Sequence, residues 1–224
     1  VRYVGGAIAL DAGQVEEAEA AYRDDLARAR RLQLPLEQHS AAFGLARVAM
    51  SRGDWAAART HIGEAEVVAR AHGLMAYVPQ LQYEYGVVAL HEGNLVEAER
   101  RFRAMLASTS GVTDLDRYAA RSRIAQIHVA QGDVARAERE LIDATNAMDS
   151  LRAALNDREL RVLAFQAHKG YDETEVGFAS IIAGLVAGGR VDGALALVER
   201  RRARELLDHL ARSGNGLTRE RVTG

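Results

Sequence analysis

The chain of 224 residues contains no cysteine, which excludes a thiol nucleophile, a disulfide and a thiolate zinc site. Seven histidines are left as candidate bases or ligands: His39, His61, His72, His91, His128, His168 and His209. None belongs to an H-E-x-x-H run. None stands three or four residues from another histidine, the spacing that sets two imidazoles on one helical face around zinc. Gly214-Asn215-Gly216 opens no capped helix after a strand, so it does not read as a phosphate loop. No metal, no cofactor and no enzymatic activity are expected on these grounds. The chemistry that remains is recognition. Arg47 and Arg123, with Tyr83 between them, can hold a carboxylate or an acidic peptide, because guanidinium pairs bidentately with carboxylate. A groove mixing Tyr83, Gln80 and Arg47 suits a peptide backbone better than an apolar cofactor. The other reading of each of these residues is a solvated helix face with local ion pairs.

A regular scaffold must position such a set, and the sequence contains one. Gly13-Gln14-Val15, Gly53-Asp54-Trp55, Gly93-Asn94-Leu95 and Gly132-Asp133-Val134 fall 40, 40 and 39 residues apart, and Gly189-Arg190-Val191 follows after 57. Five residues beyond each glycine stands an alanine: Ala18, Ala58, Ala98, Ala137 and Ala194. Four further on comes a large apolar residue: Tyr22, Ile62, Phe102, Leu141 and Val198. Seven before the glycine the residue is tiny in four units (Gly6, Ala46, Gly86, Ala125) and Ile182 in the fifth. This is the pattern of packed helix pairs. The glycine caps a first helix in a left-handed conformation. The Asp or Asn after it caps the second helix by accepting free amides. Small residues let facing backbones approach, and the large residue fills the gap towards the next pair, so stacked pairs share one core.

These marks resemble the tetratricopeptide repeat, whose period is about 34 residues. A period of 40 gives each pair roughly six residues more. The resemblance implies an all-α fold, a right-handed α-α superhelix of tetratricopeptide-like helix pairs, with the first helices lining its concave face. Phe43, Arg47, Gln80, Tyr83, Glu84, Arg123 and Gln126 then face inward, where ligands of the family bind. In the same register Trp55 packs at the start of a second helix and His128 is a hydrogen-bonded core residue. First helices are expected at 3–12, 36–52, 75–92, 114–131 and 172–188, second helices at 14–31, 54–71, 94–108, 133–155 and 191–212. Four repeats, the first truncated, occupy 1–149. An extended helical segment and a fifth pair occupy 150–212, and a polar linker 213–224. The start in mid-stride at Val1 and the glycine-rich end are read as those of a piece of a longer protein.

The fifth unit carries the most specific resemblance. Ser150-Leu151-Arg152-Ala153-Ala154-Leu155 is followed by Asn156-Asp157-Arg158-Glu159-Leu160-Arg161, then Tyr171, the Gly189-Arg190 turn and the helix from Glu199-Arg200-Arg201-Arg202-Ala203-Arg204 to Glu205-Leu206-Leu207. Over roughly 148–210 this order is similar to the end of the helical array in bacterial CHAT-domain proteins. That family continues into a caspase-like peptidase whose catalytic pair is a histidine and a cysteine. The resemblance implies a parent protease whose peptidase lies outside this cysteine-free chain. A plain repeat protein with a degenerate last unit is the alternative.

Composition bounds the rest. Charged residues number 29 basic and 31 acidic, and this balance argues against nucleic-acid binding, which needs a cationic face. No apolar run reaches the ~18 residues of a membrane span, and the first residues lack the pattern of a signal peptide, so a cytoplasmic protein is expected. Lys169 is the sole lysine, a bias read as a high-GC bacterial genome. The function expected is a non-catalytic scaffold that senses a protein or peptide and regulates the C-terminal CHAT domain. The alternative is the effector-sensing arm of a bacterial transcriptional regulator. In the helix 191–212, Val191, Ala194, Leu195 and Val198 are expected to pack on the preceding pair. Ala203, Leu206, Leu207 and Leu210 form a second stripe, rotated by about 120°, expected to dock the C-terminal domain or to be covered by a second copy in a homodimer.

Overall fold

The structure, a computed structural model, describes residues 3–154 and 173–203. These residues form helices only: α1 (Tyr3–Asp11), α2 (Val15–Arg31), α3 (Pro35–Ser51), α4 (Trp55–Ala71), α5 (Val78–His91), α6 (Leu95–Leu106), α7 (Asp114–Ala130), α8 (Val134–Ala154), α9 (Glu173–Ala187) and α10, described over 191–203. Among the described residues the expected boundaries hold to within a few residues; the expected end of the last helix at 212 lies outside them. The exception is the third unit, where a 3-10 turn at Met75–Tyr77 precedes α5. Pro79 has no amide to bond back to Met75, so a regular helix cannot run through this point. The Val78 amide bonds to the Met75 carbonyl instead.

The turns follow the sequence closely. Gly53 has φ +72°, with its amide on the Met50 carbonyl at 2.9 Å and the Asp54 amide on the Ala49 carbonyl at 2.9 Å. This is the paired C-terminal bonding that a left-handed glycine permits, and it recurs at the other four turn glycines. Asp54, Asn94 and Asp133 each cap the next helix, accepting from the amides of Ala57, Glu97 and Arg136 at 3.0, 3.1 and 3.1 Å. Gln14 makes no such cap. The α2–α3 turn has no glycine; Gln33 takes the positive φ of 52° there, and Pro35 opens α3.

The chain divides into two compact units, 1–123 and 124–224. In the first, each helix from α1 to α6 packs on its neighbour in sequence, and α1 also touches α3. Ala18, Ala58 and Ala98 are fully buried, as are Ile62 and Phe102. Each of those two larger side chains contributes about 1.5–3 kcal/mol of apolar burial. The tiny residues receive the large ones directly. A Cβ on Gly86 would stand 2.6–2.9 Å from three ring atoms of Phe102, and one on Gly6 would stand 2.9 Å from two ring carbons of Tyr22. The Tyr22 ring lies against Gly44 as well, which wedges it between α1 and α3.

In the second unit the core gathers Ala125, Ala137, Leu141, Phe178, Ile181, Leu185, Ala194 and Leu197. Here the expected stripe is corrected. Val191 and Leu195 are 54% and 57% exposed, whereas Ala194 and Leu197 are buried and Val198 is partly so. The entry of α10 is fixed by Glu138 of α8, which pairs with Arg190 (Nε to Oε2, 2.7 Å) and touches the bare Cα of Gly193 so closely that a Cβ there would collide with its carboxylate. That contact rolls the helix to the face 194, 197, 198, 201, and Arg201 lies over the Phe178 ring at 4.9 Å.

Candidate functional site

The expected ligand-binding side chains are distributed over three first helices. Phe43 and Arg47 sit on α3, Gln80, Tyr83 and Glu84 on α5, and Arg123 and Gln126 on α7. Arg123 belongs to the first unit and Gln126 to the second. Within the first unit α3 and the turn before α5 are joined by rings. His39 stacks parallel to Phe43, with centroids 6.3 Å apart, and meets Tyr77 at 5.0 Å. His39 and Tyr77, neither of them in the set expected on the first helices, make these ring contacts beside Phe43. The signal available was the i, i+4 spacing of His39 and Phe43 on one helical face.

Arg47 is exposed and reaches Asp11 of α1 at 3.6 Å, a loose surface pair that leaves its guanidinium open to solvent. Gln80 is exposed and Glu84 partly so. Tyr83 is only 7% exposed, and its ring tilts against Phe102 at 5.3 Å, so most of its surface serves the core. His39 is buried, with Nδ1 donating to the Ala65 carbonyl at 3.1 Å; burial holds its pKa below the usual histidine value, against that hydrogen bond. His128 is likewise buried, its Nδ1 3.3 Å from Gln131 Oε1, in keeping with a core role. Trp55 stacks on His91 at 3.8 Å and packs against the core of its unit. Of the docking stripe, Ala203 is exposed at the described end of α10, and Leu206, Leu207 and Leu210 lie outside the described residues.

A second feature lies elsewhere in the first unit. Two second helices, α4 and α6, with the start of α5 and the loop after α6, enclose a groove of about 620 Å³. Its polar wall is one continuous network. Arg70 grips Glu66 through Nε and Nη2 at 2.8 and 2.6 Å, and Gln82 donates to the same oxygen at 3.3 Å. Gln82 accepts from Arg101 at 2.9 Å, and Arg101 and Arg100 both hold Glu97 at 2.7 Å. Hydrogen bonding from Arg100, reinforced by Arg101 and opposed by burial, brings the Glu97 carboxyl down to about 2. Arg101 also lies over the Tyr85 ring at 4.3 Å, and burial raises the Tyr85 phenol above its usual value, with Glu66 adding to the effect. These residues come mainly from second helices, which the repeat register assigns to the scaffold. Only folding brings positions 66, 82 and 101 together.

Among the described residues no three His, Asp or Glu side chains gather in a metal-binding group, and no helix is long and apolar enough to cross a membrane. No protein-family model matches the chain, and no curated protein matches it. Among solved structures it is similar to the TPR-like repeats of a kinesin light chain protein of Podosopora anserina. The identity is 18%, the TM-score 0.61, and the match covers 90% of this chain and 92% of that one. The likeness is one of fold, and it establishes the all-α, tetratricopeptide-like arrangement of paired helices.

Proposed function

We propose that the chain is a non-catalytic scaffold that holds a protein or peptide along its first helices and regulates a C-terminal CHAT caspase-like peptidase lying outside it. The observation that carries the binding half is the first-helix side of the first unit. There α3 carries the solvent-facing Arg47 and α5 the exposed Gln80, and the buried His39 ring joins Phe43 to the exposed Tyr77. Apolar rings bordered by unsaturated polar groups match a peptide, whose backbone needs hydrogen bonds and whose side chains need apolar contact. The resemblance of 148–210 to the end of CHAT-domain helical arrays supports the regulatory half, with Ala203, Leu206, Leu207 and Leu210 as the surface that meets the peptidase. A cytoplasmic setting accords with this reading.

Peptides selected from a phage-displayed library on the 224-residue chain test it. Arg47→Ala with Arg123→Ala is expected to weaken their binding while helicity and melting stay unchanged. Full affinity in that double variant would overturn the assignment of the face. For the regulatory half, Leu206→Asp with Leu210→Asp in the parent protein should change its peptidase activity, and a parent whose activity is untouched would refute the docking.

A further inference from the structure

The second-helix groove is built unlike a solvated helix surface. Three guanidiniums, of Arg70, Arg100 and Arg101, face it, against the single lining carboxylate of Glu66. Glu97, which holds two of them from behind, leaves the ensemble with a surplus of one positive charge. Arg70 and Arg100 each spend Nε and Nη2 on a carboxylate, so both forks are fixed in direction while their side chains stay 54% and 60% exposed, and no hydrogen bond joins Nη1 of either to a described residue. A guanidinium already oriented in this way loses less rotamer entropy when it takes a second anion.

Another part of the lining is apolar: Met75 is 48% exposed, Val78 partly buried and Pro79 buried. The end is closed by the loop after α6, which is held in place where Gly111, at φ +70°, lies directly on the Ala76 backbone carbonyl. A volume of about 620 Å³ falls within the range of small-ligand and short-peptide sites.

We infer that this groove binds a short acidic segment of a partner protein, an apolar side chain seated on Met75 and Val78 and flanking carboxylates paired with Arg70 and Arg100. Charge complementarity selects this occupant: oriented guanidiniums match carboxylates two by two. A nucleic-acid backbone is disfavoured, because it needs a longer cationic track than three arginines and the whole chain has a net charge of −2. Its lining shares no residue with the set expected on the first helices, and the proposal stands whether or not that set binds peptide.

The test uses the whole 224-residue chain and a fluorescein-labelled hexapeptide of alternating glutamate and leucine, read by fluorescence anisotropy. The same peptide with glutamine in place of glutamate should bind at least fivefold more weakly. Arg70→Gln with Arg100→Gln should weaken the acidic peptide at least fivefold, and so should Met75→Asp, which sets a carboxylate into the groove from an exposed position. Arg47→Ala should leave it unchanged. Equal binding of both peptides, no effect of the groove variants, or loss through Arg47→Ala alone would overturn the proposal. Displacement by a short single-stranded oligonucleotide in preference to unlabelled acidic peptide would overturn it in favour of nucleic acid.

Discussion

Gly44→Ala isolates the tightest packing decision in the first unit. The new Cβ would stand 2.5 Å from Cδ1 and Cζ of Tyr22, where carbon atoms prefer 3.5–4.0 Å. The ring would have to retreat by about 1 Å. Gly6 blocks that path, since the same ring already stands where a Cβ on α1 would be 2.9 Å away, and Tyr22 is only 2% exposed. Overpacking of this kind costs about 1–3 kcal/mol. In a helix interior the exchange of glycine for alanine also gains up to about 1 kcal/mol of propensity, which masks part of the loss. Gly5→Ala supplies the control: it makes the same chemical change in α1 with nothing within 4 Å of the new atom. The difference between the two variants removes most of the propensity gain and leaves the clash, about 1–3 kcal/mol. Urea unfolding followed by circular dichroism at 222 nm measures both. Tyr22→Leu in the Gly44→Ala background should recover part of the loss, as a double-mutant cycle requires for groups in contact. If Gly44→Ala proves as stable as Gly5→Ala, the tyrosine wedge between α1 and α3 is wrong.

Three further outcomes are expected. The Glu97 carboxyl, held at about 2 in the fold against about 4.5 when unpaired, adds stability that is complete above pH ~4.5 and is lost as pH falls towards 2; Glu97→Gln should flatten that acid limb in a pH series of urea melts. His39 has a lowered pKa in the fold, so below about pH 6.5 the unfolded chain takes up a proton that the folded chain refuses. Stability should fall with pH there, and His39→Gln, which can keep a donor for the Ala65 carbonyl, should reduce the slope. Gly111→Ala forces a side chain into a positive-φ position against the Ala76 carbonyl, and should destabilise by about 2 kcal/mol or more; amide exchange should rise first at 75–77 and 107–113.

The sequence by itself determined the element order, the turns and the core register of the repeats. The reason is that these are local or strictly periodic. A left-handed glycine, an Asp or Asn cap and an alanine five residues on act within one helix pair, and their recurrence at 40 residues makes the pattern self-checking. Helical periodicity likewise assigned Phe43, Arg47, Gln80, Tyr83, Glu84, Arg123 and Gln126 to first helices, where they fall. It could not tell that Tyr83 would turn most of its ring to Phe102. Where the period broke, at the 57-residue spacing, the register failed. The roll of α10 was decided by Glu138, Arg190 and Gly193, and two of these three are more than fifty residues from the third along the chain. The second-helix groove was beyond sequence reading altogether. Glu66, Gln82 and Arg101 belong to three different helices, and each reads in sequence as no more than a polar residue of its own helix. Only packing brings them within hydrogen-bonding distance, because a network across helices depends on distances that no single-helix periodicity encodes.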